Sequence, residues 1–304
     1  MPLFKILVPG SVLLDIYPAS PEAGEKRYLG GAEFNFAYHV HCLQAGGVDF
    51  AARIGADEPG RFIRAELDRR GFPSRLLQVD PVRRTKTVIV RRDENNQPRY
   101  DIPTNVASEF LDFPPLPPRT LAEYDLLYFG TTLQHGPHSR STLRRLLAEC
   151  PAPKFCDLNL RPGKFTRETV EYCLRTCELL KLNHEELDQV SEDFGLAGSQ
   201  EARLAALAGG FSIGAVCLTL AEKGSYWWQD GRLTEHRLSA PPAVDPVGAG
   251  DAFSACLALG WLSGWDAPRL LEAASSLAAA VCGQPGALPE TADFYLPFRA
   301  LFQV

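Results

Sequence analysis

Short apolar runs alternate with helical patterns along almost the whole chain, and this rhythm limits the possible folds more than any other feature. Residues 3–8, 48–54, 125–129, 154–158, 178–182 and 215–220 read as strands. Helical patterns occupy 31–45, 59–70, 139–148, 168–175, 184–193 and, after a detour, 249–262. Strand, crossover helix and parallel strand make a βαβ unit. We therefore expect a single α/β domain over residues 1–304, a three-layer sandwich whose mostly parallel central sheet carries helices on both faces.

Two stretches break the rhythm. Residues 11–28 read as irregular and rich in Pro and Gly, and 85–92 and 99–102 read as strands around a turn at Asn95-Asn96. Together they predict a small sheet outside the main one, a candidate lid made by residues 11–30 and 83–103; an ordinary surface hairpin is the alternative. The detour at 225–238 turns at Asp230-Gly231, a strong hairpin signal. The Pro-rich stretch 112–119 reads as the crossing from the lid half to the second half of one domain.

A net charge of −6 argues against a nucleic-acid partner or an anionic membrane surface, so any phosphate site must be local. The eight cysteines lie scattered in apolar segments with no CxxC pair, which fits buried thiols in a reducing cytosol. Cys173 and Cys177 are spaced to share a helix face, but two thiols without two more ligands make a poor zinc site. The first apolar run is cut short by Pro9-Gly10, and no stretch approaches the roughly 20 apolar residues of a membrane span. The expectation is a cytoplasmic protein.

The chemistry concentrates in Asp245-Pro-Val-Gly-Ala-Gly-Asp251, which opens the apolar helix at 249–262. Glycines at a helix start admit a ligand close to the backbone, and free first-turn amides with the helix dipole make an anion site. Gly248, Ala249 and Gly250 are the candidate anion hole, and Asp251 the candidate catalytic base. A carboxylate beside an anion hole suits phosphoryl transfer: the amides stabilise charge and the carboxylate takes a proton from the attacking hydroxyl. Each residue alone also fits a bland role, a tight turn or a favourable first-turn charge. There is no GxxxxGK[ST], and Phe253 stands where a Rossmann fingerprint needs its third glycine.

Segment 245–256 resembles the second signature of the ribokinase-like (PfkB) carbohydrate kinases, and the resemblance extends over nearly the whole chain. Gly30-Gly31-Ala-Glu-Phe-Asn35 looks like the family's first signature, Gly55-Ala-Asp57-Glu-Pro-Gly60 like its GxDxxGxF step, and Asp157-x-Asn159-x-Arg161 like its DxNxR stretch. Lys181-x-Asn183-x-x-Glu186 matches KxNxxE, and 219–224 resembles TxGxxG. The resemblance implies that Asp15, Gly30, Gly31 and Asn35 hold the sugar, and that Arg161 sits near the transferring phosphate or the sugar. It implies that Asn183 and Glu186 organise Mg2+, through water, together with the phosphates, while Lys181, Thr219 and Gly224 line the ATP side. In some members the region of Asp245 binds a monovalent cation, K+, and the family suggests a homodimer through the lid.

Three departures stand out. Ala221 replaces a usual Gly, Pro246-Val247 replaces a common Thr-Thr, and Glu33-Phe34 replaces a small Pro-Ala, which is expected to reshape the sugar pocket. Residues 99–113, 129–134 and 156–165 look most like the bacterial fructokinase branch. That implies fructose as the sugar; ribose, 2-keto-3-deoxygluconate, another hexose or a nucleoside are the alternatives within the family. A silent sugar sensor or a dinucleotide-dependent oxidoreductase are the alternatives outside it.

Overall fold

The computed structural model describes residues 4–18, 24–92, 98–101, 103–238 and 244–302. In chain order the elements are β1 (Phe4–Pro9), β2 (Leu13–Tyr17), β3 (Lys26–Gly30), α1 (Ala32–Leu43), β4 (Gly46–Gly55), α2 (Glu58–Arg69), β5 (Leu77–Asp80), β6 (Thr87–Arg92), β7 (Pro98–Asp101), α3 (Pro118–Leu121), β8 (Leu126–Phe129), α4 (Pro137–Glu149), β9 (Lys154–Asp157), α5 (Arg167–Thr176), β10 (Leu179–Asn183), α6 (His184–Phe194), α7 (Gln200–Phe211), β11 (Ala215–Thr219), β12 (Ser225–Gln229), β13 (Arg232–His236), α8 (Ala249–Leu262), α9 (Ala267–Cys282) and α10 (Leu296–Arg299).

The main sheet has nine strands in the order β13-β12-β11-β10-β9-β8-β1-β4-β5. Every pairing is parallel except β11–β12 and β12–β13. The expected three layers are present because strand residues alternate between two cores. Ile6 and Val8 of β1 pack with Phe36 and Val40 of α1, Leu257 of α8 and Leu271 of α9. Leu7, between them, packs on the opposite face with Leu143, Val170, Leu187 and Leu204 of α4 to α7. Strands buried on both faces read as continuous apolar runs, which is why they were visible in the sequence. Pro9 and Gly10 end β1 at the edge where the site is built.

The second sheet is small, ordered β3-β2-β6-β7. Residues 13–17 and 26–30 are therefore antiparallel strands, not the irregular chain expected there. Their signal was weak because β2 and β3 pack few side chains deeply: Leu14 and Leu29 are buried opposite each other, while Tyr17 and Tyr28 are exposed. The turn at Asn95-Asn96 lies outside the described residues. The Asp230-Gly231 hairpin forms as expected, with both residues at positive φ.

The GxDxxGxF step roots the small sheet in the large one. Asp57 caps α2 by accepting from Gly60 N at 3.1 Å, and the same carboxylate accepts from Thr85 N at 2.9 Å and Thr85 Oγ1 at 2.5 Å. Thr85 Oγ1 in turn accepts from Gly55 N at 2.9 Å. The motif thus pins the chain just before β6. All eight cysteines are unpaired, seven of them buried.

Candidate active site

The C-terminal ends of β1, β8, β9, β10 and β11 line up along one edge of the sheet, where open α/β sheets present their ligand sites. The N-terminus of α8 carries the glycine-rich segment. Gly248 is its N-cap at φ 80°, and any side chain there would collide with Ala287. The Ala249 amide is turned back to Pro246 O at 3.3 Å. The next amides, those of Gly250 and Asp251, have no carbonyl one turn earlier within the helix and remain for an anion.

Asp251 stands in the first turn of α8 and accepts a hydrogen bond from Asn35 Nδ2 at 2.8 Å. This bond joins the first signature to the second across 216 residues of sequence. Burial pushes the Asp251 carboxyl up to about 7; the Asn35 bond, Lys181 and Arg161 oppose that rise, and the nearby Asp157 charge adds to it. A carboxyl poised near neutrality suits proton abstraction from an alcohol.

Beneath Asp251 lies a second, saturated carboxylate. Asp157, at the end of β9, is buried and held by Lys181 Nζ at 3.1 Å from each oxygen. Ser254 Oγ of α8 donates to it at 2.7 Å and Tyr128 OH at 3.3 Å. Lys181 is itself buried; burial lowers its pKa, but Asp157, Glu186 and Asp251 outweigh that and keep it charged. Its Nζ lies 3.2 Å from where a Cβ on Gly250 would sit, so a fixed cation underlies the anion-facing turn.

Asn183 and Glu186 form a capping box at the start of α6: Asn183 Oδ1 accepts from Glu186 N at 2.9 Å, and Glu186 Oε2 from Asn183 N at 2.8 Å. Glu186 Oε1 accepts from Leu160 N at 2.8 Å, which ties the DxNxR loop to α6. Glu186 is buried rather than a solvated first-turn charge, and burial raises its pKa. Arg161 is exposed on that loop and within electrostatic reach of Asp251.

Thr219 and Gly224 stand further along the edge, at β11 and before β12. Thr219 Oγ1 donates to Leu182 O at 3.5 Å. Gly224, at φ 110°, passes so close to His236 O that no side chain fits. Ala221, between them, adopts the left-handed region at φ 51°. Asp245 accepts from Val247 N at 3.0 Å and Gly286 N at 2.9 Å, and so fastens the chain before α8 to the segment after α9.

The side bordered by the small sheet is built differently. Gly31, the N-cap of α1, has φ 111°, and a side chain there would strike Ser11 O. Gly30 faces Asp15 so closely that its missing side chain makes room for that carboxylate. Burial pushes Asp15 up to about 6, with Lys86 drawing it back. Asn35 Oδ1 and Ser11 Oγ are buried without a partner among the described residues. The Glu33-Phe34 departure splits in two. Phe34 does not reach the pocket: it is core, with ring centroids 5.6 Å from Phe50 and 5.3 Å from Phe72. Glu33 is buried by Gly10 and Gly130 at the ends of β1 and β8, and burial raises its pKa.

The structure thus brings Asp251, Asn35, Gly248, Gly250 and Lys181 together at the α8 N-terminus, with Arg161 in electrostatic reach of Asp251 and the Asn183–Glu186 box beside Lys181 at the start of α6. Asp15, Gly30 and Gly31 lie on the side of the small sheet, Thr219 and Gly224 on the opposite side. The motif reading missed the bridging role of Asp157, the support from Ser254, and the presence of Lys86. The buried i, i+3 pairing of Asp251 and Ser254 on one helix face was a signal for Ser254; nothing in sequence spacing pointed to Lys86.

The pfkB family carbohydrate kinase model matches residues 4–292. A fructokinase of Klebsiella pneumoniae is 28% identical, with 97% of each chain covered. The aminoimidazole riboside kinase of Salmonella typhimurium is 26% identical over 97% of this chain and 92% of its own length. Among solved structures, a fructokinase double mutant from Vibrio cholerae in fructose-, ADP- and potassium-bound form superposes with a TM-score of 0.81 at 25% identity, covering 97% of this chain and 98% of that one. With this fold, this edge and these matches, the chain belongs to the pfkB family of carbohydrate kinases.

Proposed function

We propose that this kinase transfers the γ-phosphoryl group of ATP to the primary hydroxyl of fructose, giving fructose 6-phosphate. The observation that carries the reading is the Asn35–Asp251 hydrogen bond with Asn35 Oδ1 left unpartnered. One amide orients the carboxylate through its NH2 and keeps an acceptor for a sugar hydroxyl. A buried acceptor costs about 1–3 kcal/mol when unmet, so the pocket favours a ligand that supplies a donor there. Asp15 and Ser11 add an acceptor and a hydroxyl on the same side, the complement of a polyol.

The proposed chemistry follows from these positions. Asp251 takes the proton of the hydroxyl as the oxygen attacks the γ-phosphorus. The α8 amides, Lys181 beneath them and Arg161 from the DxNxR loop stabilise the charge on the transferred group. Thr219 and Gly224 border the nucleotide, and the lid carrying Asp15 covers the sugar and excludes water.

We infer that Mg2+ is held through water. Both Glu186 oxygens and Asn183 Oδ1 already accept backbone amides, so the residues suit a hydrated ion held through water rather than one bound directly. When bound, the ion neutralises phosphate charge. Asp245 likewise spends one bond of each oxygen on loop amides, which leaves K+ to its remaining lone pairs and to nearby carbonyls. Rates in K+ against Li+ test that site, and sedimentation tests the proposed homodimer through the lid.

Fructose is favoured because fructokinases recur among the relatives at 25–28% identity. The deciding experiment is ATP consumption across fructose, glucose, ribose, 2-keto-3-deoxygluconate and aminoimidazole riboside, with phosphorus NMR of the product. Fructose should give the highest kcat/KM by at least about tenfold. A riboside or sugar acid ahead of fructose overturns the assignment of the sugar while leaving the kinase intact.

A further inference from the structure

Lys86 is used by none of the chemistry above, yet it faces the same pocket. It immediately precedes β6, and its carbonyl accepts from Leu14 N at 3.1 Å, so its backbone is fixed beside β2. Register places its side chain. Asp15 pairs with Val88 in the parallel β2–β6 ladder, and side chains two residues apart share a face. Lys86 and Val88 therefore lie on Asp15's face of the lid sheet, with Lys86 diagonal to Asp15. Gly30, opposite Leu13 on that face, gives its side-chain space to the Asp15 carboxylate.

The Lys86 ammonium is half-buried and makes no hydrogen bond or ion pair within the described residues. The charges that reach it come from every element around the pocket: Asp15 from β2, Glu33 from α1, Glu109 from the turn after the lid, and Arg161 and Lys164 from the DxNxR loop. An ammonium partly stripped of water and without a direct partner among the described residues is costly unless it serves a neighbour or a ligand. The clamp of Thr85 by Asp57 holds it in place from one residue away.

We propose that Lys86 is a positioning residue that keeps Asp15 a charged acceptor for the sugar hydroxyls when the lid side of the pocket is dry. The inference rests on the sugar reading of this pocket and deepens it. Asp15 is withdrawn from water by its surroundings, which favours its neutral form; a neutral carboxyl turns one of its two acceptor oxygens into a hydroxyl donor and loses the charge that strengthens the bonds it accepts. Lys86 is the cation that opposes this. It acts on sugar binding through Asp15 and not on the transfer step at Asp251.

The test measures fructose binding without nucleotide by calorimetry from pH 5.5 to 8.5. The proteins are the wild type and the variants Lys86→Met, Lys86→Gln, Lys86→Arg and Asp15→Asn, and each is repeated in an Asp251→Asn background to remove that titration. The wild type should bind more weakly as pH falls through about 6. Lys86→Met and Lys86→Gln should move that inflection to higher pH and raise Kd at pH 7 by about tenfold, whereas Lys86→Arg keeps both near wild type. Asp15→Asn should abolish the inflection. A merely structural role for Lys86 weakens binding equally at all pH values and leaves the inflection unmoved. That outcome, with fructose still bound by the wild type and lost in Asp15→Asn, overturns this inference alone. A wild type that binds neither fructose nor any sugar of the panel overturns the sugar reading, and this inference with it.

Discussion

The two halves of the site satisfy their polar groups in opposite ways. Around β9 and β10, Asp157, Lys181, Asn183 and Glu186 spend their bonds on one another, on Ser254 and on backbone amides. On the lid side, Asn35 Oδ1 and Ser11 Oγ have no partner among the described residues, and the Lys86 ammonium makes no bond to them. The first half is built before any ligand arrives, as electrostatic preorganisation requires. The second half is incomplete as it stands, and what completes it must bring a hydrogen-bond donor to Asn35 Oδ1. Asp251 sits on the boundary: Asn35 donates a hydrogen bond to it from the small-sheet side, and the Lys181 and Asp157 charges act on it from below with opposite sign.

The largest effect that sharpens this contrast is at the boundary. Asp251→Ala should lower kcat by about 10²–10⁴-fold while sugar and ATP still bind; single-turnover kinetics within tenfold of wild type would remove Asp251 from the base role. Next, breaking the saturated half should cost stability. Lys181→Met strands a buried Asp157 carboxylate and should cost about 3–5 kcal/mol, whereas Lys86→Met should leave the urea midpoint within error. Equal losses for the two lysines would erase the difference between the halves.

A smaller effect is in pH. Asp251 and Asp15 both have raised pKa values, about 7 and about 6, and both act ionised. Lowering pH therefore protonates each and removes its function. The logarithm of kcat/KM for the sugar should fall with unit slope below about 7 and steepen toward two below about 6, and a flat profile from pH 8 to 5.5 would contradict both assignments. The smallest effect lies at the nucleotide end. Ala221 holds a left-handed conformation that costs a residue with a Cβ about 1–2 kcal/mol. Ala221→Gly should therefore raise stability by about 1 kcal/mol; a lower melting temperature in calorimetry would mean the alanine methyl makes a contact worth more than the strain.

How much of this was legible in sequence also divides along the two halves. Strands such as Leu179–Asn183, buried on both faces, announce themselves as apolar runs, and ordered motifs mark the loops after them. The glycine-rich turn before Asp251 was visible because close backbone approach demands particular residues. β2 and β3 were blurred because they bury few of their side chains. Lys86 was invisible for a different reason: its meaning depends on register with Asp15, a relation between strands far apart in the chain. Likewise the burial of Glu186 could not be read from KxNxxE, since the Leu160 amide that claims it comes from another loop. Phe34 was misjudged because neighbouring helix residues diverge by about 100°, so Glu33 faces the site while Phe34 faces the core.

The strand order has a consequence for how the chain comes to exist. β1 lies between β4 and β8, and Ile6 pairs with Leu126. β2 likewise waits for β6, with Leu14 opposite Thr87. While the chain is being synthesised, one edge of β1 stays open until well over a third of the protein has emerged, and Asp15 has no lid to belong to until β6 follows. Pairings this distant make folding slow and leave strand edges exposed meanwhile. The same topology that sets Asn35 against Asp251 leaves those strand edges open to association in the nascent chain, and mutations that slow β8 should show first as poor yield rather than poor catalysis.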